Sequence, residues 1–434
     1  MINLKKSVWT DIVTLPKFSS LDKDVKTDVL IIGGGLCGIL CAYQLKNAGI
    51  DYILVEGSKI ASGITKNTTA KITSQHGIIY SKIIDSFGKE KAKMYLDINE
   101  LALSTYKEIC KDIECDLEEK DAYTYSLNDR AKIEDEVAAL NSLGFNAEFR
   151  EKTELPFSIS GAIKFNNQAQ FNPLKFIGEV AKDLNIYENS FIKELKPGCA
   201  ITSSGKIYAK KIIVATHFPF INKHGSYFLK LYQHRSYVSV YENAVSLNGM
   251  YVDENKKGMS FRNYQNFLLI GGGGHRTGKE GGAWKPIHSF AQEHYPDAKL
   301  QFEWATQDCM TLDSVPYIGN YSKSTTNIYV ATGFNKWGMT SSMAASIILC
   351  DLIQEKNNEY AEVFSPSRSI LKPQLIVNGF ESLANLIPPA KRRCPHLGCG
   401  LKWNKAEHTW DCPCHGSRFD KYGHLIDNPA TGDL

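Results

Sequence analysis

The first clear pattern along the chain is Asp28-Val-Leu-Ile-Ile-Gly-Gly-Gly-Leu-Cys-Gly-Ile-Leu-Cys-Ala-Tyr-Gln-Leu, an unbroken apolar run that gives way to glycines and then to an apolar helical stretch. A continuous apolar run closed by a glycine turn reads as a strand buried on both faces. Gly49 stops the helix, and a second apolar strand, Tyr52 to Val55, ends at Glu56, completing a βαβ-type unit. Residues 81–116 are mainly helical in pattern, an amphipathic helix follows over 131–143, and 146–149 is strand-like, which together read as an inserted subdomain. Short strands are predicted over 192–216, where Lys211-Ile-Ile-Val-Ala-Thr suits a parallel core. Between 227 and 302 the alternation in Tyr237-Val-Ser-Val-Tyr and Asn266-Phe-Leu-Leu-Ile predicts a mostly antiparallel sheet that serves substrate contacts. The cluster Gly271 to Gly274 reads as a turn and flexible loop within it. Ile328-Tyr-Val-Ala-Thr-Gly, then Gly338 and a small-residue helix over 339–352, repeats the strand, glycine, helix pattern.

Periodicity fades after Ser365, and Pro373, Pro388 and Pro389 mark a linker over 366–392 before a tail of residues 393–434. The expected fold class is therefore α/β, with a Rossmann-like nucleotide-binding domain interleaved with an α+β substrate domain, and a small all-β module at the end. The nucleotide-binding parts fall at about 25–80, 165–220 and 325–360 and the substrate domain at about 81–164 and 221–324, all within 1–365. With 434 residues there is ample chain for a large core. A balance of 50 basic against 47 acidic side chains gives a formal charge of only +3, which argues against nucleic-acid binding. The N-terminus reads MINLKKSVWTDIVTLPKF, with no secretory apolar region, and no run of 18 apolar residues occurs, so the expected location is the cytoplasm, without a membrane span.

Gly33, Gly35 and Gly38 form G-x-G-x-x-G between strand and helix. The first glycine permits the tight turn, the second lets a pyrophosphate approach the backbone, and the third allows helix and strand to pack closely. Glu56 lies 18 residues beyond Gly38 at the end of the next strand, where a carboxylate accepts hydrogen bonds from ribose hydroxyls. The following segment, Ser62-Gly-Ile-Thr-Lys-Asn-Thr-Thr-Ala-Lys-Ile-Thr-Ser-Gln-His-Gly, resembles the second flavin-contact segment of FAD-dependent oxidoreductases related to D-amino-acid oxidase and glycine oxidase. Ala215-Thr-His-Phe-Pro, Thr311-Leu-Asp-Ser-Val-Pro-Tyr-Ile-Gly and Gly333-Phe-Asn-Lys-Trp-Gly-Met-Thr also match, so the resemblance covers most of 25–360. It implies FAD as cofactor, held by Gly33, Gly35, Gly38, Glu56, Ser62, Thr65, Thr68, Thr69, Ala70, Lys71, Thr216, Gly333, Gly338, Met339 and Thr340.

Hydride transfer to a flavin needs positioning more than a dedicated base, so no obligatory triad is expected. Pocket candidates are His76, Tyr232, His234, Arg235, Arg262, His275 and Trp337, with Arg235 or Arg262 suited to bidentate binding of a carboxylate.

Four of the 11 cysteines and four of the 11 histidines fall within residues 393–434, and the other seven cysteines are scattered, as buried reduced thiols would be. Cys394-Pro-His396 and Cys412-Pro-Cys-His415 give C-x-H, 15 intervening residues, and C-x-x-H. Any Cys/His quartet raises zinc, although zinc fingers usually group their ligands as cysteine pairs and histidine pairs. The two motifs closely resemble Rieske proteins, over Cys394-Pro-His-Leu-Gly-Cys399 and Cys412-Pro-Cys-His-Gly-Ser417. That resemblance implies a [2Fe–2S] cluster with Cys394 and Cys412 on one iron, His396 and His415 on the other, and a disulfide between Cys399 and Cys414. Phe419 stands where Rieske proteins of the highest potential have tyrosine, while Ser417 keeps the other hydroxyl. Leu401 to Trp410 reads as a hairpin joining the two ligand loops. So short a tail cannot easily bury its own core, so it is expected to lean on the flavin domain or on a second chain.

The combined expectation is an oxidoreductase that takes electrons from an amine or amino acid onto FAD and relays them through the cluster to an acceptor whose identity the sequence leaves open. A second reading, from another functional class, is an electron-transfer or redox-sensing flavoprotein served by a protein partner.

Overall fold

The continuous apolar runs pair as their pattern demands. A computed structural model describes residues 5–221, 224–387 and 389–434, and among these the chain forms sheets of eight, nine and four strands. In the first sheet Val25–Ile32 lies in parallel between Tyr52–Val55 and Lys206–Val214, and the last of these pairs in parallel with Thr325–Thr332. Val29 and Ile31 point into one core and Leu30 and Ile32 into another, because successive side chains of a strand leave opposite faces. Helices Leu36–Asn47 and Gly338–Ile353 cover the Val29/Ile31 face. Only glycine fits where this layer is tightest: a Cβ on Gly38 would stand 1.8 Å from the Gly33 carbonyl oxygen, and Gly33 itself has φ +113°.

The nine-stranded sheet runs in the order Lys299–Thr311, Leu231–Glu242, Phe267–Arg276, Ser260–Tyr264, Gly249–Asp253, Glu118–Ser126, Gly161–Gln170, Lys71–Ile72, with Glu148–Arg150 beside Gly161–Gln170. It is antiparallel except where Gly249–Asp253 meets Glu118–Ser126. Lys71–Ile72 and the end of Gly161–Gln170, from residue 165 on, thus belong to this sheet, and Tyr317–Ser322 belongs to the parallel one, so the strands are more interleaved than the sequence boundaries imply. The α/β class with a small all-β module at the C-terminus is borne out.

Two expectations are corrected. Gly271 to Gly274 is no loop but the second half of the strand Phe267–Arg276. Its missing side chains serve close packing: a Cβ on Gly271 would meet Ser260 Oγ at 2.6 Å, and one on Gly272 would meet Ile287 Cγ1 at 3.2 Å. The stretch 366–392, read as a linker, carries the 14-residue helix Pro373–Leu386. Pro373 begins this helix, at a position whose N–H would be unpaired in any case. Pro388 lies outside the described residues.

The C-terminal sheet, Lys402–Asn404, Thr409–Asp411, Arg418–Phe419 and Leu425–Asp427, includes the hairpin between the ligand loops. Its core is little more than four cysteines with Leu401, Phe419 and Ala430, and it is seated on the nine-stranded sheet. Arg235 Nε donates to Glu407 Oε1 at 3.0 Å, and Tyr237 Oη donates to the same oxygen at 3.1 Å. Arg418 reaches Glu407 at 2.7 Å, Asp411 at 3.1 Å and Asp427 at 3.0 Å. Gln307 Nε2 donates to the Gly416 carbonyl at 2.9 Å. Gly416 has φ +82°, and a Cβ there would stand 2.2 Å from Gln233 Cγ.

Burial pushes the Glu407 carboxyl up, but Arg418 and Arg235 more than offset this and hold it below its ordinary value. Its contribution to stability is therefore complete above the unfolded-state value of about 4.3 and is lost as pH falls through the lower folded value. Glu407→Ala should cost about 3–5 kcal/mol, because Arg235 is left buried without its partner. The variant should release a C-terminal fragment on limited proteolysis at neutral pH, and the unaltered protein should become cleavable there only on acidification below about pH 4.

Candidate functional site

A cavity of about 960 Å³ runs between the two large sheets and reaches the C-terminal module. At one end Gly33, Gly35 and Glu56 line it. Glu56 accepts from Gly34 N at 2.7 Å and from Ser58 N at 2.9 Å, which holds the carboxylate at the strand end. Burial raises its pKa, and these two amide contacts partly counter the shift. Gly35 caps the helix Leu36–Asn47 with no side chain in the way, and a Cβ there would meet nothing closer than Thr65 Oγ1 at 3.4 Å. The glycine thus leaves cavity space beside the positive end of the helix, where a phosphate would fit. Thr65 Oγ1 accepts from Leu36 N at 3.1 Å.

Ser62, Thr65, Thr68, Thr69, Lys71 and Thr216 line the middle, and His76, Gly333, Trp337, Gly338 and Met339 the far end. Gly38, Ala70 and Thr340 support this wall from behind. Thr340 Oγ1 lies 2.9 Å from His76 Nε2, and the Ala70 carbonyl accepts from Arg262 at 2.9 Å. His76 stacks on Trp337 with ring centroids 5.0 Å apart and meets Tyr95 Oη at 2.6 Å. Burial holds its pKa down at about 3, so it is a neutral hydrogen-bonding wall rather than an acid or base. Lys71 is lowered to about 7 by burial and then by Arg262.

The remaining pocket candidates are elsewhere. Arg235 is committed to Glu407, and Arg262 donates to the Thr69 carbonyl at 2.7 Å as well as to Ala70, clamping the flavin-contact segment from behind. Neither guanidinium reaches the cavity, which corrects the expectation of a carboxylate-binding arginine. His275 meets Tyr237 Oη at 3.0 Å, and Tyr232 lies under the Arg276 guanidinium at 4.9 Å. His234 is held at about 2 by burial and then by Lys336.

Sequence reasoning passed over Lys336 and Asp308, both of which line the cavity. Asn335 Nδ2 donates to the Gly333 carbonyl at 2.6 Å and Asn335 Oδ1 accepts from Thr311 N at 2.8 Å. This network holds Lys336 at φ +75°, an uncommon conformation for a lysine. Burial lowers Lys336 while Asp308 counters the shift, and burial raises Asp308 while Lys336 counters it. The two are therefore groups of opposite charge that face the same cavity. Lys336 was visible inside the quoted Gly333 segment, but nothing in the pattern said that its side chain turns inward.

In the module, Cys394 and Cys412 are neighbours close enough that each moves the other's pKa, and the His396 and His415 rings lie 4.9 Å apart at 90°. The thiols are thus paired on one side and the imidazoles on another, as a cluster with two kinds of iron requires. Burial lowers His396 to about 4 and His415 to about 3, which keeps both rings neutral and able to ligate. His415 Nδ1 is buried with no hydrogen-bond partner among the described residues, the state of a donor atom reserved for a metal. Ser417 reaches Cys394 with its hydroxyl. Cys399 is bonded to Cys414, with Cα atoms 6.6 Å apart.

The two sites adjoin. Asn428 Nδ2 donates to the carbonyls of Thr216 and Phe218, both at 2.7 Å, and the Phe218 ring lies 6.4 Å from His396 and 6.3 Å from His415. Leu425 to Asn428 also line the cavity itself.

Residues 28–352 match the family model described as FAD dependent oxidoreductase, and residues 386–434 match the Rieske [2Fe-2S] domain. The chain is 33% identical to the Bacillus subtilis (strain 168) protein YhfW, described as a Rieske 2Fe-2S iron-sulfur protein, over 99% of this chain and 97% of that one. It is 24% identical to gamma-glutamylputrescine oxidoreductase of Escherichia coli (strain K12), over 78% of this chain and 86% of that one. Among solved structures, glycine oxidase from Geobacillus kaustophilus superposes with TM-score 0.67 at 18% identity, covering 80% of this chain and 99% of that one.

The two glycine positions make separable predictions. Gly35→Val should leave the fold and its thermal transition intact but yield colourless protein, because only the phosphate space is filled. Gly38→Val should fail to fold, because its side chain would enter the Gly33 carbonyl. Expression, thermal melting and the flavin absorbance of the two purified variants distinguish these outcomes.

Proposed function

Given that the chain belongs to the family of FAD-dependent oxidoreductases and ends in a Rieske [2Fe–2S] domain, we propose that it oxidises an amino acid or a closely related amine and passes the electrons through the cluster to a separate acceptor. When bound, FAD supplies two-electron chemistry by accepting a hydride, and the cluster supplies one-electron transfer. The observation that carries the reading is the Asn428 clamp, since it ties the cavity wall at Thr216 to the ring that touches both imidazoles.

Cys394 and Cys412 would hold one iron and His396 and His415 the other. Lys336 and Asp308 suit the two ends of a zwitterion: the ammonium of Lys336 orients a carboxylate, and the Asp308 carboxylate receives the substrate ammonium and its proton. His76 and Trp337 close the far end of the cavity with a flat, uncharged surface. The Ser417 hydroxyl stabilises thiolate charge on Cys394.

Anaerobic mixing with a panel of amines and amino acids tests the enzymatic reading. Loss of flavin absorbance with at least one zwitterionic compound is the expected result, and a flavin that only a reduced protein partner can bleach contradicts it. Lys336→Met should lower kcat/KM for that compound by roughly 10- to 100-fold, the effect of losing one charge-assisted hydrogen bond. Ser417→Ala should lower the cluster midpoint potential by up to roughly 100 mV, the one-electron equivalent of a hydrogen bond to a charged sulfur, as read by redox titration.

A further inference from the structure

The Pro373–Leu386 helix is turned inside out. Ile376, Phe380, Leu383 and Ile387, at spacings of four, three and four, form one stripe, and they are 65%, 69%, 57% and 77% exposed. The opposite stripe is polar and buried, with Asn378 and Asn385 only 5% and 8% exposed. The protein holds the helix by that polar side. Arg276 Nη1 donates to Asn378 Oδ1 at 2.9 Å, Lys279 pairs with Glu381 at 2.7 Å, and Gly400 N of the cluster module donates to the Asn385 carbonyl at 2.8 Å. A free surface helix settles the other way, with its apolar stripe against the core.

Charge identifies what covers the stripe. Residues 371–393 contain Lys372, Lys391, Arg392 and Arg393 against one acid, Glu381, which is already engaged by Lys279. The cations sit beyond the two ends of the helix and the stripe between them is uncharged. Stacking a second copy on this face would bring cationic ends together, whereas an anionic lipid surface complements both the apolar stripe and its flanks. Arg393 Nη1 donates to the Leu386 carbonyl at 3.0 Å and to the Gly398 carbonyl at 2.8 Å, so the exposed Leu397 adjoins the same end. We propose that the Ile376/Phe380/Leu383/Ile387 stripe seats the protein on the surface of an anionic bilayer, with the helix lying in the interfacial plane.

The test is co-sedimentation of the full-length holoprotein with vesicles of phosphatidylcholine alone or mixed with phosphatidylglycerol. Binding is expected to be several-fold greater with the anionic vesicles and to fall as salt is added. Phe380→Glu should reduce the vesicle partition coefficient at least roughly tenfold while keeping its flavin absorbance and cluster signal, and Ile376→Ser on the same stripe should reduce it less. Unaltered protein that stays in the supernatant with anionic vesicles overturns the proposal. So does a sedimentation-velocity result in which the unaltered protein is a dimer that Phe380→Glu dissociates, because the stripe is then a contact between copies.

Discussion

Glu407, enclosed between Arg235 of the nine-stranded sheet and Arg418 of the cluster module, is the contact on which the arrangement of the two cofactor sites depends. Taking these charges out of water is expensive, and an apolar replacement of similar volume would often be no less stable. What the ion pairs contribute is register. A module whose core is mostly its own cysteines has few apolar groups with which to select one orientation, and the forked guanidiniums of Arg235 and Arg418 accept a carboxylate in only a narrow range of poses. Asp411 and Asp427 fix Arg418 from the other side, so the network joins three strands of the module to one strand of the body.

The sheet beneath is therefore a shared wall. Along Leu231–Glu242 and Lys299–Thr311, Arg235 and Gln307 bond to the module, while their neighbours Ser236, Thr306 and Asp308 line the cavity. Period-two alternation lets one pair of strands serve both sites. Arg235 is thereby committed to the module, whereas Asp308 on the neighbouring strand and Lys336 line the cavity.

What the sequence disclosed follows the range of each interaction. The glycine loop at Gly33, Gly35 and Gly38 was legible because its constraints are local, and the spacing of Cys394, His396, Cys412 and His415 because the ligands lie on two short loops. Gly271 to Gly274 misled because the same missing side chains serve a turn or a close approach, and only Ser260 and Ile287 decide between them. The Pro373–Leu386 helix looks like linker in the sequence because its prolines resemble breakers and its partners, Arg276 and Lys279, are distant along the chain. The roles of Arg235 and Lys336 depend on which way a side chain turns in a finished sheet or loop, which periodicity alone does not supply.

The central claim is that one chain carries electrons from the cavity to the cluster across the contact at Phe218 and Asn428. Single-turnover mixing with a reducing substrate under anaerobic conditions, with flavin absorbance and the cluster's electron-spin resonance followed together, tests it most directly. The account predicts that the cluster becomes reduced as electrons leave the flavin, at a rate that does not change when the protein is diluted. A cluster that stays oxidised while the flavin is fully reduced, or a rate that falls in proportion to protein concentration, would contradict it.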